Sequence, residues 1–304
     1  MAKTRQGSAQ GTAQEDKNNS PQGLVGVGQV VVEGIYEQAV ALWQKKDLSS
    51  DQDLFAELVA HDIGSSYHYG NGKPEIEADS PDAEAARLRQ AHEFNNGLKA
   101  LRIFCDAFQK KSPLSMELIL EMHEALTHGT YDSERLAKGE RPGTFKMHDY
   151  SPDPNDDSVG SLVEDTEEEL QDLLDEVQEF PDKKALTAAA YFHAKFENIH
   201  PFADGNGRTG RLAMNYLLAL HGHPPLSINI QNHLQYVKGL MQWNEQQEIS
   251  LLKKLFTHET ARTWSNDVVQ GQNLLLILNR GKQQSVENQR TSSRRSAENS
   301  HDIA

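Results

Sequence analysis

The stretch His200-Pro-Phe-Ala-Asp-Gly-Asn-Gly-Arg-Thr-Gly-Arg211 decides the reading of this chain. It holds an imidazole, a carboxylate, three glycines, an asparagine and two arginines, and an apolar helical run follows it. Gly205-Asn206-Gly207 tolerates positive φ, so the backbone can bend there and present its N–H groups outward. Beyond it Leu212, Tyr216, Leu217 and Leu220 recur at helical spacing, so a glycine-rich turn opens a helix. Such a start carries unpaired N–H groups and the positive end of the helix dipole, a combination that binds anions. Arg208 and Arg211 project from one face of the first turn, and their guanidinium forks match phosphate oxygens. Asp204, just ahead of the turn, offers a hard oxygen to Mg2+. His200, held by the following proline, can accept a proton near neutral pH. Taken singly, each residue has an ordinary structural explanation, since Gly-Asn-Gly is usually a turn and paired arginines a solvated face. Their order and density together point to a phosphate site.

The segment resembles the signature of the Fic family, His-Pro-Phe-x-(Asp/Glu)-Gly-Asn-Gly-Arg-x-x-Arg, at every fixed position. The resemblance implies a mainly α fold, a Fic-type helical bundle with a short β-hairpin flap over the active site. It also implies a protein adenylyltransferase that moves AMP from ATP to a Ser, Thr or Tyr hydroxyl of a target protein and releases pyrophosphate. Carried over by position, His200 would be the base that deprotonates the target hydroxyl. Asp204 would hold Mg2+ on the α- and β-phosphates. Asn206 and the backbone around Gly205 and Gly207 would form the anion hole, and Arg208 and Arg211 would grip the β- and γ-phosphates. Relatives that phosphorylate carry lysine at the place of Gly207, so the glycine favours AMP transfer. Tyr236 and Asn244 match positions that line the adenosine pocket. Arg141 followed by Phe145, Lys146, Met147 and His148 resembles the flap, against which a target segment lies as an added strand. That segment is bounded by Pro142-Gly143 and by the turn-rich 151–155.

One departure concerns restraint. Many relatives carry (Ser/Thr)-x-x-x-Glu-(Gly/Asn), whose glutamate pairs with the second arginine of the signature and blocks productive ATP binding. The corresponding stretch here is Ser65-Ser66-Tyr67-His68-Tyr69-Gly70-Asn71. Ser65 matches, but Tyr69 stands at the glutamate position. A phenol is neutral at pH 7 and cannot make a carboxylate–guanidinium pair with Arg211. Glutamate-type autoinhibition is therefore expected to be lost or replaced. A small antitoxin supplying the glutamate in trans would be one replacement. Other readings stay open: a different nucleotide donor, removal rather than addition of AMP, self-modification, or a module that binds nucleotide without transfer.

Composition sets the surroundings. The net charge of −15 argues against nucleic-acid binding as the main task, as does a polar C-terminal stretch too short for a winged-helix module. Mean hydropathy is −0.67 and no apolar run approaches the roughly 20 residues that span a bilayer. The start, 1–22, lacks an apolar signal core and reads as a disordered tail, and the expected location is cytoplasmic. Cys105 is the sole cysteine, in an apolar helical stretch, and reads as a buried structural thiol.

The organisation expected is a tail (1–22), a helical region bearing the degenerate inhibitory stretch (23–110), a catalytic core with C-terminal helices (111–280), and a polar tail (281–304). Periodicity predicts helices over 30–43, 53–63, 83–110, 113–126, 164–179, 183–197, 208–220, 234–240 and 249–263, with a turn or two at 270–278. His193 reads as structural. His221 and His223 form a two-histidine turn that lacks a third metal ligand.

Overall fold

A computed structural model describes residues 22–45, 81–150 and 160–265. Among the described residues the elements are helices, turns and loops, and none is a strand, so the chain is mainly helical. In order they are α1 (Gln22–Lys45), α2 (Pro81–Gln109), α3 (Met116–Thr127), α4 (Ser133–Ala137), α5 (Thr166–Gln178), α6 (Ala185–Ile199), α7 (Asn206–Leu220) and α8 (His233–Gln246). A final helix, α9, covers 250–265. No helix among the described residues is long and apolar enough to cross a membrane. The 53–63 helix, the 65–71 stretch with Ser65 and Tyr69, the 151–155 turn, the 270–278 segment and both tails lie outside the described residues.

Local chemistry explains where the helices begin. Ser115 accepts a hydrogen bond from the Leu118 N–H at 3.3 Å, so α3 starts after this cap and not at Pro113. Asp132 caps α4 in the same way, accepting from the Arg135 N–H at 2.8 Å. At five residues α4 is too short to leave a periodic signal, which is why the sequence reading passed over it. Three glutamates, Glu167 to Glu169, sit at the positive end of α5, while Leu170, Leu173, Leu174 and Val177 turn into the core. That is the acidic, one-faced helix expected over 164–179.

At the centre lie α6 and α7. Ala188, Ala189, Ala190, Phe192, Ala194, Phe196 and Ile199 of α6 are buried, as are Leu212 to Ala219 of α7. Small residues let the two helices approach closely. A Cβ on Gly210 would stand 2.8 Å from the Phe196 ring. Around this pair the core gathers Trp43, Phe104 and Trp264. Trp43 meets Trp264 edge-on at 5.6 Å, and Phe104 meets Tyr216 edge-on at 5.1 Å. Cys105 is half-buried rather than fully buried, and burial pushes its thiol up to about 11.

The flap segment has no hairpin among its described residues. Phe145 and Lys146 run without regular structure, and the one backbone bond to the signature is Lys146 N–H to the Pro201 carbonyl at 3.0 Å. A ladder needs a partner strand, and none lies beside this segment among the described residues.

Candidate active site

The signature forms a corner between the two central helices. The helix α6 ends at His200, whose φ of 52° and ψ of 61° are left-handed, and the His200 N–H closes the last turn on the Phe196 carbonyl at 3.0 Å. A non-glycine residue held there costs roughly 1–2 kcal/mol, so the surroundings must enforce it. Burial pushes the His200 imidazole down to about 4, with Lys146 adding to the shift, and the ring is therefore neutral at pH 7.

Five residues on, Gly205 starts α7 with φ 85°. Only glycine suits the position, because a Cβ would also lie 2.4 Å from the Thr127 methyl. Asn206 locks the loop from inside: its Oδ1 accepts from the Phe202 N–H at 2.9 Å and its Nδ2 donates to the Phe202 carbonyl at 2.7 Å. Both polar ends of this side chain are thus committed to the loop. The anion cradle expected around Gly205, Asn206 and Gly207 can draw on backbone N–H groups and on the second Nδ2 proton of Asn206.

Residues that the sequence reading did not single out hold this loop from outside. His123, buried on α3, accepts the Gly143 N–H on Nδ1 at 3.0 Å. The proton is therefore on Nε2, which donates to the Asp204 carbonyl at 2.9 Å. Burial pushes His123 down to about 4 and keeps it neutral, which this pattern requires. Its ring stacks on Phe202 at 3.7 Å. Arg135 Nε donates to the Ala203 carbonyl at 3.0 Å. The available signal was weak: a histidine on the apolar face of α3, and a short capped helix carrying one arginine.

The charged groups form a linked set. Arg89 of α2 donates Nη2 to Asp204 Oδ2 at 3.0 Å and Nε to Glu93 Oε1 at 3.1 Å. Arg208 lies 3.4 Å from Glu93 Oε1 and 3.5 Å from Asp204 Oδ1. Asp204 Oδ1 also accepts the Gly205 N–H at 2.7 Å. Arg211 is buried on the same helix, its Nη1 at 3.0 Å from where a Gly207 Cβ would stand. Beside it is Glu197, whose carboxyl is pushed up to about 7 by burial, with Arg211 opposing the shift.

Tyr236 is buried and its hydroxyl meets His193 Nε2 at 2.8 Å. His193 in turn lies 3.8 Å from Glu197 Oε1, so Tyr236 is tied to the neighbourhood of Arg211 through α6. Asn244 is exposed and accepts from Asn198 Nδ2 at 3.3 Å. The structure thus brings His200, Asp204, Gly205–Gly207, Arg208, Arg211 and Tyr236 around the α6–α7 corner.

The four flap residues behave differently from one another. Phe145 stacks on Phe202 at 6.1 Å, and Met147 is 58% exposed. His148 Nδ1 donates to Glu140 at 2.9 Å, and Glu140, itself buried, also accepts from the Met147 N–H and the Tyr150 hydroxyl at 3.1 Å. Lys146 is 2% exposed, with its ammonium on the Ser161 and Ile199 carbonyls at 2.6 and 3.4 Å. Both bonds hold the ammonium against carbonyls next to the end of α6. Arg141 folds back onto the Leu136 and Glu140 carbonyls. His221 pairs with Asp182, and His223 uses both ring nitrogens, on the Pro224 carbonyl and the Tyr36 hydroxyl, so the two do not form a metal pair.

Residues 113–218 match the Fic/DOC family model. Over 57 residues the chain is 53% identical to the protein adenylyltransferase Fic of Drosophila persimilis and 51% identical to that of Aedes aegypti. Each match covers 19% of this chain and 11% of the relative, so the chain spans about a tenth of the length of these curated relatives. Among solved structures, a Fic-domain signalling protein from Bacteroides thetaiotaomicron superposes with a TM-score of 0.61 at 19% identity, covering 78% of this chain and 95% of that one. Fic-1 from C. elegans superposes with a TM-score of 0.58 at 17% identity, covering 83% of this chain and 75% of that one. The signature, the helical architecture around it and these matches agree: residues 113–218 are a domain of the Fic/DOC family.

Proposed function

We propose that this protein transfers AMP from ATP to a hydroxyl of a target protein and releases pyrophosphate. The observation that carries the reading is the corner itself: a half-buried, neutral imidazole at His200 beside a helix start that presents backbone N–H groups, Arg208 and Arg211. The curated relatives named protein adenylyltransferases support it over the matched segment. His200 takes the proton of the target Ser, Thr or Tyr hydroxyl as its oxygen attacks the α-phosphorus. The bond from that phosphorus to the bridging oxygen breaks, and pyrophosphate departs. Backbone N–H groups at Gly205–Gly207 and the guanidinium groups of Arg208 and Arg211 hold the phosphates and offset the charge that builds on the leaving group. Tyr236 and Asn244 border the adenosine.

Asp204 fits Mg2+ held jointly with a polyphosphate, because its partly exposed carboxylate is one hard ligand and phosphate oxygens supply others. The ion would supply charge neutralisation between the phosphates. Arg89 would have to yield Asp204 Oδ2 for it to bind. The segment 141–148 acts as the flap, and the target lies along it as an added strand, with Met147 on its exposed side.

The test uses ATP labelled on the α- or the γ-phosphate, with GTP and UTP in parallel, followed by mass spectrometry of modified protein. Transfer of the α-label alone, lost in His200→Ala while nucleotide affinity is kept, is expected. Arg211→Ala should weaken ATP binding itself. Full transfer by His200→Ala would remove the base assignment, and γ-label transfer would make the protein a kinase.

A further inference from the structure

Lys146 brackets His200. Its main-chain N–H donates to the Pro201 carbonyl at 3.0 Å, one residue after the base. Its ammonium lies 3.4 Å from the Ile199 carbonyl, one residue before it, and 2.6 Å from the Ser161 carbonyl. Ser161 closes the figure by donating its own N–H to the Ile199 carbonyl at 3.0 Å. From the same side Gly160 presses on the corner: a Cβ there would stand 2.7 Å from the Ile199 oxygen and 2.8 Å from His200 Cβ. Phe145, next to Lys146, stacks on Phe202 and anchors the segment on the far side of Pro201. Three separate stretches of chain thus meet at one left-handed residue.

A buried lysine is costly unless its protons find acceptors, and a flap needs none for binding a target strand. The two carbonyls flanking the corner satisfy the ammonium, and holding them fixes the peptide planes on either side of His200. We infer that Lys146 is a positioning residue for His200, which it holds in the left-handed conformation against the glycine-lined wall at Gly160. The inference rests on the reading of His200 as the base. The ammonium also helps keep the imidazole in the unprotonated form that a base requires, after the larger effect of burial.

The experiment compares Lys146→Met, Lys146→Arg and Gly160→Ala with wild type, reading kcat, the ATP KM, nucleotide affinity and the NMR signals of the His200 ring. Lys146→Met is expected to lower kcat tenfold or more with ATP KM and affinity within twofold. Lys146→Arg, which keeps donors for both carbonyls, should recover most of that loss. Gly160→Ala should reproduce the kcat loss by crowding Ile199 and His200 directly, with the Lys146 side chain left in place. In the Lys146→Met protein the His200 ring signal should move, whereas Lys195→Met, altering a half-buried lysine of α6 that pairs with Glu176, should leave it in place. Wild-type kcat in Lys146→Met, or an unmoved His200 signal in it, would overturn the inference. So would equal losses of kcat, nucleotide affinity and melting temperature, which mark a purely structural residue. The ring signal does not depend on turnover. A wild-type protein that transfers nothing, yet whose His200 signal moves in Lys146→Met, would defeat the proposed activity and keep the positioning role.

Discussion

Arg89 Nη2 donates to Asp204 Oδ2 at 3.0 Å, across 115 residues of sequence. The pair joins the long α2 helix to the residue read as the Mg2+ ligand. With Glu93 on Arg208 at 3.4 Å, α2 engages both Asp204 and Arg208 of the signature.

With Asp204 as the proposed Mg2+ ligand, the ion and Arg89 would compete for one carboxylate oxygen. Arg89→Ala is therefore expected to lower the Mg2+ concentration for half-maximal transfer severalfold. Stability should change by less than about 1 kcal/mol, because Arg89 is more than a third exposed. A Mg2+ titration of transfer measures it, and an unchanged midpoint would mean that Arg89 moves aside without cost.

Gly205→Ala meets two obstacles, the left-handed φ and the Thr127 methyl at 2.4 Å. Together they predict a loss of about 2–4 kcal/mol. Adding Thr127→Ser removes the methyl and keeps the hydroxyl that donates to the His123 carbonyl, so it should restore the steric part alone. Urea midpoints of the single and double variants separate the two contributions. Full recovery in the double variant would show that the backbone conformation costs nothing.

His123→Phe preserves the stack on Phe202 but leaves the Gly143 N–H without its acceptor and the Asp204 carbonyl without its nearest donor. A loss of about 2–4 kcal/mol is expected from two such groups. The more specific sign is faster hydrogen exchange at the Gly143 amide. Unaltered exchange there would mean that the flap and the signature are not coupled through this ring.

Glu197 titrates against stability. Its folded pKa of about 7 lies above the ordinary 4.5, so the folded state binds this proton more tightly. The contribution is fully present below pH 4.5 and is lost as pH rises towards 7. Glu197→Gln should therefore gain about 1–3 kcal/mol over wild type at pH 8, and nothing at pH 4. Denaturation at both values decides it, and an equal gain at each would place the effect outside ionisation.

Much of this was legible in the residues themselves. The turn that opens α7 at Gly205, with Arg208 and Arg211 on the helix that follows, was readable because sequence order sets such local geometry directly. Helices with a strong apolar period, such as α5, emerged within a few residues of their bounds. The helix α8 was read too short: Gly239 falls inside the run, and only Tyr236, Gly239 and Trp243 are buried in this polar segment. What remained hidden came from distance. Nothing near His123 in the sequence announces that its two nitrogens join Gly143 to Asp204, and nothing near Lys146 places it beside Ile199. Such roles arise when separate segments meet, and a chain read in one dimension does not contain those meetings. Lys146 shows the same gap, its neighbours in sequence being flap residues while its ammonium lies on the Ser161 and Ile199 carbonyls.

His200 has a second identity, as the stop of α6. Its N–H completes the final turn on Phe196 and its left-handed torsions turn the chain away. Helix length and imidazole placement are thus one variable. A chain in which α6 ran one residue further would turn the ring away from the corner. Substitutions that strengthen helix at Asn198 or Ile199 are therefore a route to an inert protein with an intact signature. Scanning the signature alone for damage would miss it.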